Sequence, residues 1–233
     1  IIWAALAIYF FASVWQLLTQ TATTFETGLF GALGSPAGEI LSGTDWGRIW
    51  IWRVGLIAGT AAVLGAGSLA LPGRRQGNVL GVPIEAAAET LALGPDIASL
   101  FTLSLISHGP GTAGIAGGAL LSDFVHLVGA AFWFGGLIHL LAGMRLVFTE
   151  LEEGERRPVL VAMVLRFSAV ALISVGALAV TGLYSAWAQV TAWRAFDSPY
   201  GYTLIAKLGL IVPLVALAGL NLLWVRPRLR GSD

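Results

Sequence analysis

The stretch FVHLVGAAFWFGGLIHLLAGM, residues 124–144, decides the fold class. It contains no Asp, Glu, Lys or Arg, and a helix of about 20 residues crosses the roughly 30 Å hydrocarbon core of a bilayer. Its polar and apolar residues do not alternate as they do in the strands of a membrane barrel. The stretch therefore predicts a helix that spans a membrane.

The rest of the chain has the same character. Of its 233 residues, 57% are hydrophobic and 11% are charged, whereas about a quarter of an average soluble domain is charged. We predict an all-α fold, a polytopic transmembrane helical bundle in the lipid bilayer, with residues 1–233 forming a single domain. Six spans are expected, at about 1–19, 48–71, 90–107, 122–148, 159–190 and 202–225.

Composition also excludes several classes of function. The net charge is zero, so no basic surface suggests nucleic acid, and the absence of Cys excludes disulfides and thiolate metal sites within the chain. The sequence has no nucleotide-binding loop, no HExxH motif and no nucleophile elbow. We therefore predict that the protein is not an enzyme.

The basic residues near the span ends predict the orientation, because Lys and Arg accumulate on the cytoplasmic side. We expect the loops at 20–47, 108–121 and 191–201 to face outward. The opposite, cytoplasmic side then carries Arg74, Arg75, Arg145, Arg156, Arg157, Arg166, Arg226, Arg228 and Arg230, and the outer side only Arg48, Arg53, Arg194 and Lys207.

Two segments indicate an internal repeat of helix pairs, GTDWGRIWIWRVGLI at 43–57 and DSPYGYTLIAKLGLI at 197–211. A helix precedes the second pair but none precedes the first, so we expect one or more further spans before Ile1. Such duplication recurs among transporters and among helical bundles generally. The aligned positions include Gly47 with Gly201, Trp46 with Tyr200, and Arg53 with Lys207.

Ionisable residues inside a membrane are candidates for function, because burying them there is costly. Asp123, His126 and Trp133 lie within about 80° of one another on one helix face. His126 is expected about 6 Å inside the outer end of its span. His108 ends the preceding span on the same side, so we expect it to reach the same outer vestibule. His139 lies about 20 Å deeper than His126 and is excluded from that site.

Arg53 and Lys207 are expected about 9 Å below the glycines at which their spans begin, at a depth similar to that of His126. They are candidates for lining or supporting a pathway, as is Trp133. Structural alternatives remain open for each residue. His126 is equally consistent with a hydrogen-bonded or interfacial residue, and Trp133 with a packing residue. The two basic side chains are equally consistent with residues that extend to the lipid headgroups.

Taken in order, several motifs resemble the bacterial copper resistance protein D family of inner-membrane proteins, from about residue 12 to 222. The family often has Gly-His-Ala where this chain has Ser107, His108 and Gly109, and the histidine is retained. The motifs are LSGTDWGRIWIWRVGL at 41–56, Ser-His at 107–108, HLVGAAFWFGG at 126–136, RFSAVALISVGALAVTGLYSAW at 166–187 and SPYGYTLIAKLGL at 198–210.

The resemblance implies a bundle that moves or delivers copper from the periplasmic side, sometimes beside a periplasmic copper-binding protein. The chain has two Met and no Cys, so an outer copper site must use the imidazoles of His108 and His126. Oxygen ligands would come from Asp123, or from Glu26, Glu39 and Asp45 in the long outer loop. Only neutral imidazole binds metal, so copper binding is expected to weaken in acid.

Two other functions compete with copper transport. One is a structural, assembly or copper-delivery subunit of a larger membrane complex. The other is a b-type haem protein, which needs two axial histidines from different helices and would have to use His108 with His126.

Overall fold

The chain folds into long helices. The computed structural model describes residues 2–69, 78–79, 82–107, 116–189, 197, 199–220 and 223–224. The helices are α1 (Ile2–Thr24), α2 (Ser35–Gly43), α3 (Asp45–Leu69), α4 (Ile84–Ser107), α5 (Ala116–Glu150), α6 (Glu153–Gln189) and α7 (Pro199–Leu220). Two short strands, β1 (Asn78–Val79) and β2 (Val82–Pro83), pair antiparallel before α4.

The all-α membrane fold is confirmed. Five helices are long and apolar enough to cross a bilayer, within Ile2–Thr24, Asp45–Ser68, Ala87–Ser107, Gly117–Glu150 and Glu153–Trp187. They coincide with the first five predicted spans. The apolar part of α7 found among the described residues, Gly201–Pro213, is shorter than a full span, so the sixth span stays a prediction.

Two helical features differ from the sequence-based expectation. The predicted loop at 20–47 contains the short helix α2, which has Pro36 in its first turn, where a missing N–H costs nothing. The acidic segment after α5 is a turn of only Leu151 and Glu152, because α6 begins at Glu153. Glu153 and Glu155 lie in the first turn of α6, where the helix dipole favours negative charge.

Contacts within the chain define two compact units, Ile1–Ala116 and Gly117–Asp233. In the first unit, α3 packs against both α1 and α4 and runs antiparallel to both. Towards α4, the side chain of Thr60 contacts Asp96, and the closely packed Gly67 faces Ala88. Towards α1, the Trp50 Nε1–H donates to the carbonyl oxygen of Ser13 at 2.8 Å.

In the second unit, α5 and α6 pack as an antiparallel pair along a glycine seam, which consists of Gly129, Gly136 and Gly143. A Cβ at Gly129 would lie 3.3 Å from the carbonyl oxygen of Ser174. A Cβ at Gly136 would lie 3.1 Å from Cε2 of Phe167, and one at Gly143 would overlap Cε of Met163. Small residues thus let the two helices approach closely in the membrane.

The corner between α2 and α3 requires a glycine. Thr44 caps α3, because its Oγ1 accepts the N–H of Gly47 at 2.9 Å while donating to the carbonyl oxygen of Ile40 at 2.7 Å. A Cβ at Gly47 would overlap that same carbonyl oxygen and lie 2.6 Å from Cα of Leu41. These are backbone atoms, which cannot move aside as the end of a flexible side chain can, so a side chain at position 47 would be strained.

We therefore expect Gly47→Ala to lower the thermal unfolding midpoint of the detergent-solubilised protein, at an overpacking cost of about 1–3 kcal/mol. Gly55→Ala is the matched control, because Gly55 also lies in α3 and a Cβ there would meet nothing within 4 Å. Equal unfolding midpoints for the two variants would contradict the steric role of Gly47.

Candidate metal site

His126 lies on α5 and faces α6. Its Nδ1 is 2.9 Å from the Oγ1 of Thr181, and its Cε1 lies 3.9 Å from where a Cβ on Gly182 would stand. The imidazole is half-buried. One turn earlier, the buried Ser122 donates to the backbone oxygen of Thr181 at 3.3 Å. Two side chains of α5 therefore meet the same residue of α6.

The other predicted residues of this helix face have similar environments. Asp123, Ala130 and Trp133 are half-buried, and α5 continues without interruption through all of them. The helix begins at Ala116, earlier than expected, so His126 lies about 15 Å from its start by helix rise. The helix therefore extends about 9 Å beyond the start of the hydrophobic run from which the expected 6 Å was measured.

The partner predicted for His126 lies in a part of the chain about which the structure says nothing. His108 falls outside the described residues, so its distance from His126 stays a prediction. Lys207 lies within α7, and its side chain is likewise not described. Among the described residues, no group of three His, Asp or Glu side chains is arranged to hold a metal ion.

His139 is separate from this site, as the sequence predicts. Its exposed ring lies about 20 Å further along α5, and its Nδ1 is 2.8 Å from the carbonyl oxygen of Gly135 in its own helix. Nearby, Met163 fills the space over Gly143 in the glycine seam.

Arg53 has the most completely buried large side chain in the described part of the protein, at 0% exposure. Its Nε donates to the Oγ1 of Thr102 at 2.8 Å, and its Nη2 donates to the carbonyl oxygen of Thr102 at 3.2 Å. Its Nη1 donates to the Oε1 of Gln16 at 2.5 Å. The guanidinium does not extend to the headgroups; it joins α3 to both α1 and α4.

A hydrogen bond between α1 and α4 reinforces this junction. The Tyr9 hydroxyl lies 2.7 Å from the Oγ of Ser99. We refer to Tyr9, Gln16, Arg53, Ser99 and Thr102 as the polar network. The sequence reasoning missed its members other than Arg53. A signal was present, because Tyr9, Ser13 and Gln16 form a polar stripe with helical spacing on the apolar α1, as Asp96, Ser99 and Thr102 do on α4.

Comparison with known proteins shows which family and which relatives the chain resembles. Residues 161–233 match the family described as copper resistance protein D. The chain is also 24% identical over 231 residues to the inner membrane protein YebZ of Escherichia coli (strain K12), an alignment that covers 95% of this chain and 71% of that protein. The chain is thus similar to the copper resistance protein D family over residues 161–233. With its apolar helices, it is a multi-pass inner-membrane protein.

A second relative is the copper transport protein CutJ of Bacillus subtilis (strain 168), at 30% identity over 112 residues. The alignment covers 48% of this chain and 20% of CutJ, so the chain corresponds to only a fifth of that relative. No solved structure matches the chain.

The polar network makes a prediction about stability. Replacing Arg53 by Met removes three hydrogen bonds and leaves the Gln16 amide oxygen without its charged donor. We expect a loss of at least about 2 kcal/mol, because hydrogen bonds to charged groups contribute roughly 1.5–3 kcal/mol each. Arg53→Lys should fall between the wild type and Arg53→Met, because an ammonium carries the charge without the planar fork.

Thermal unfolding in detergent measures this loss. Arg48→Ala is the control, because Arg48 lies in the same helix, is largely exposed and, in the described part of the chain, forms an ion pair with Asp45 one turn away. Such surface pairs contribute less than about 1 kcal/mol. An Arg53→Met variant as stable as Arg48→Ala would show that the network does not hold the helices together.

Proposed function

We propose that the protein transports copper across the bacterial inner membrane, most simply as an importer, through a histidine-based site near the periplasmic face. His126 is the central ligand of this site, with Asp123 one turn away on the same helix and His108 as the second imidazole. The observation that carries the proposal is the anchoring of His126 against α6 through Thr181. The family match and the name of CutJ, a copper transport protein, support the choice of copper as cargo.

The available donor atoms suit copper in a particular way. Imidazole binds both copper oxidation states, and a carboxylate favours Cu(II). The thioether of Met163 is packed over Gly143, towards the opposite end of α5 from His126. The proposed entry site therefore depends on nitrogen and oxygen, and it gains its second histidine from His108.

The distribution of charge supports the periplasmic location of this site. Arg145, Arg156 and Arg157 flank the turn between α5 and α6, and basic residues favour the cytoplasmic side. His126 lies towards the other end of α5. With this orientation the loops at 20–47, 108–121 and 191–201 face the periplasm, where a copper-binding protein would deliver its ion.

Arg53 has a supporting role in this proposal. Among the described residues, its hydrogen-bond partners are all neutral, and no carboxylate forms an ion pair with it. An uncompensated guanidinium repels a copper cation, and in a low-dielectric interior such repulsion is strong. The polar network therefore serves to hold α1, α3 and α4 together, while the ion interacts with the histidine-bearing helices.

The test is copper accumulation in liposomes that contain the purified wild-type protein, His126→Ala or His139→Ala. We expect His126→Ala to abolish protein-dependent accumulation, because it removes the central ligand. His139→Ala should transport normally. It changes an exposed histidine on the same helix, and the Nδ1 of this histidine donates to the carbonyl oxygen of Gly135.

Two results would contradict the proposal. One is unchanged copper accumulation by His126→Ala in comparison with the wild type. The other is a Soret absorbance band in the purified protein that disappears in His126→Ala, which would assign the histidine to haem instead.

A further inference from the structure

We infer that Thr181 is a positioning residue that holds His126 in its Nδ1–H tautomer and leaves Nε2 as the open donor atom of the ring. The tautomer follows from the hydrogen bonds alone. Its consequence for copper rests on the function proposed above. Neither Thr181 nor the nitrogen that would bind the metal follows from the sequence.

The argument begins with the single hydrogen of the Thr181 hydroxyl. Its Oγ1 lies 2.7 Å from the carbonyl oxygen of Ala177 and 3.3 Å from that of Leu178. Carbonyl oxygens only accept hydrogen bonds, so the hydroxyl must donate to them. Its hydrogen is thus directed to the backbone of α6, and the Oγ1 lone pairs remain for other partners.

The Nδ1 of His126 lies 2.9 Å from this same oxygen. Because the hydroxyl hydrogen is already used, Oγ1 accepts in this contact and Nδ1 must carry the hydrogen. A neutral imidazole has only one ring hydrogen. Nε2 therefore presents a lone pair, which is the form in which histidine binds a metal.

The surroundings keep the ring in this position. Ser122 donates to the backbone oxygen of Thr181, so the residue that receives the imidazole is itself tied to α5. At Gly182 the α6 surface has no side chain beside Cε1, the carbon that joins the two ring nitrogens. Metal-ligating histidines are commonly held in this way, with one ring nitrogen donating to a fixed acceptor and the other left for the ion.

The first experiment identifies the tautomer in the metal-free protein. Nitrogen NMR of histidine-labelled protein in nanodiscs at mildly alkaline pH distinguishes Nδ1–H from Nε2–H, and His126→Asn identifies the signal. We expect Nδ1–H for His126 in the wild type and in Thr181→Ser, which keeps the hydroxyl. In Thr181→Val, which has nearly the same shape but no acceptor, the Nε2–H form should appear.

His139 is the internal reference, because its Nδ1 donates to the carbonyl oxygen of Gly135 and its signal should be the same in all variants. Observation of His126 as Nε2–H in the wild type would overturn the inference. An unchanged His126 tautomer in Thr181→Val would overturn it as well.

The second experiment measures Cu(I) and Cu(II) affinity, each by competition with a chelator of known affinity. We expect Thr181→Val to bind about 10–100-fold more weakly than the wild type, which is the usual cost of losing such an outer partner, and Thr181→Ser to restore binding. Gly176→Ala is the control for substitution in α6 and should bind Cu(I) as the wild type does, because a Cβ there would meet nothing within 4 Å.

The two experiments distinguish the ways in which these ideas can fail. Equal copper affinity of the wild type and Thr181→Val would reject Thr181 as a positioning residue for copper. Absence of copper binding by any variant, together with the expected tautomer in the first experiment, would reject the proposed function and leave the tautomer assignment standing.

Discussion

Because the hydrocarbon core contains no water, a polar side chain within a span has to find its partner in the protein. Arg53 and His126 both meet this requirement, with different consequences. The guanidinium uses a fork of donors to join three helices through neutral acceptors, so it fixes their register. The imidazole needs only one partner on one helix, and this leaves its second nitrogen for another task.

The division of the chain into spans could be predicted because it depends on local composition. A run such as residues 124–144 is apolar enough to require a membrane, whatever surrounds it. The short helix α2 was missed because it lies in a loop whose composition resembles a turn. The start of α5 was placed too late because a helix continues past its hydrophobic part wherever its backbone bonds continue.

The partners of the polar side chains could not be predicted in the same way. Arg53 and Thr102 are 49 residues apart in sequence, and His126 and Thr181 are 55 apart. Hydropathy locates each span but does not show which helix lies beside it or how either is rotated about its axis. In the sequence, Thr181 is therefore one more small residue of an apolar helix. Its contact with His126 follows only from the packing of α6 against α5. The distance between His108 and His126 depends on the same kind of information.

The glycine seam has a consequence for how the pair α5 and α6 can move. Its glycines recur every seven residues, slightly less than two full turns of an ideal helix, so a straight helix would rotate them out of line by about 20° at each step. Contact at all of them favours a left-handed winding of one helix about the other. Sliding α6 by one turn, about 5.4 Å, would take Phe167 and Met163 out of the gaps that receive them. The two helices are thus interlocked along the seam. The large motion that costs the least free energy is displacement of the pair as one rigid body.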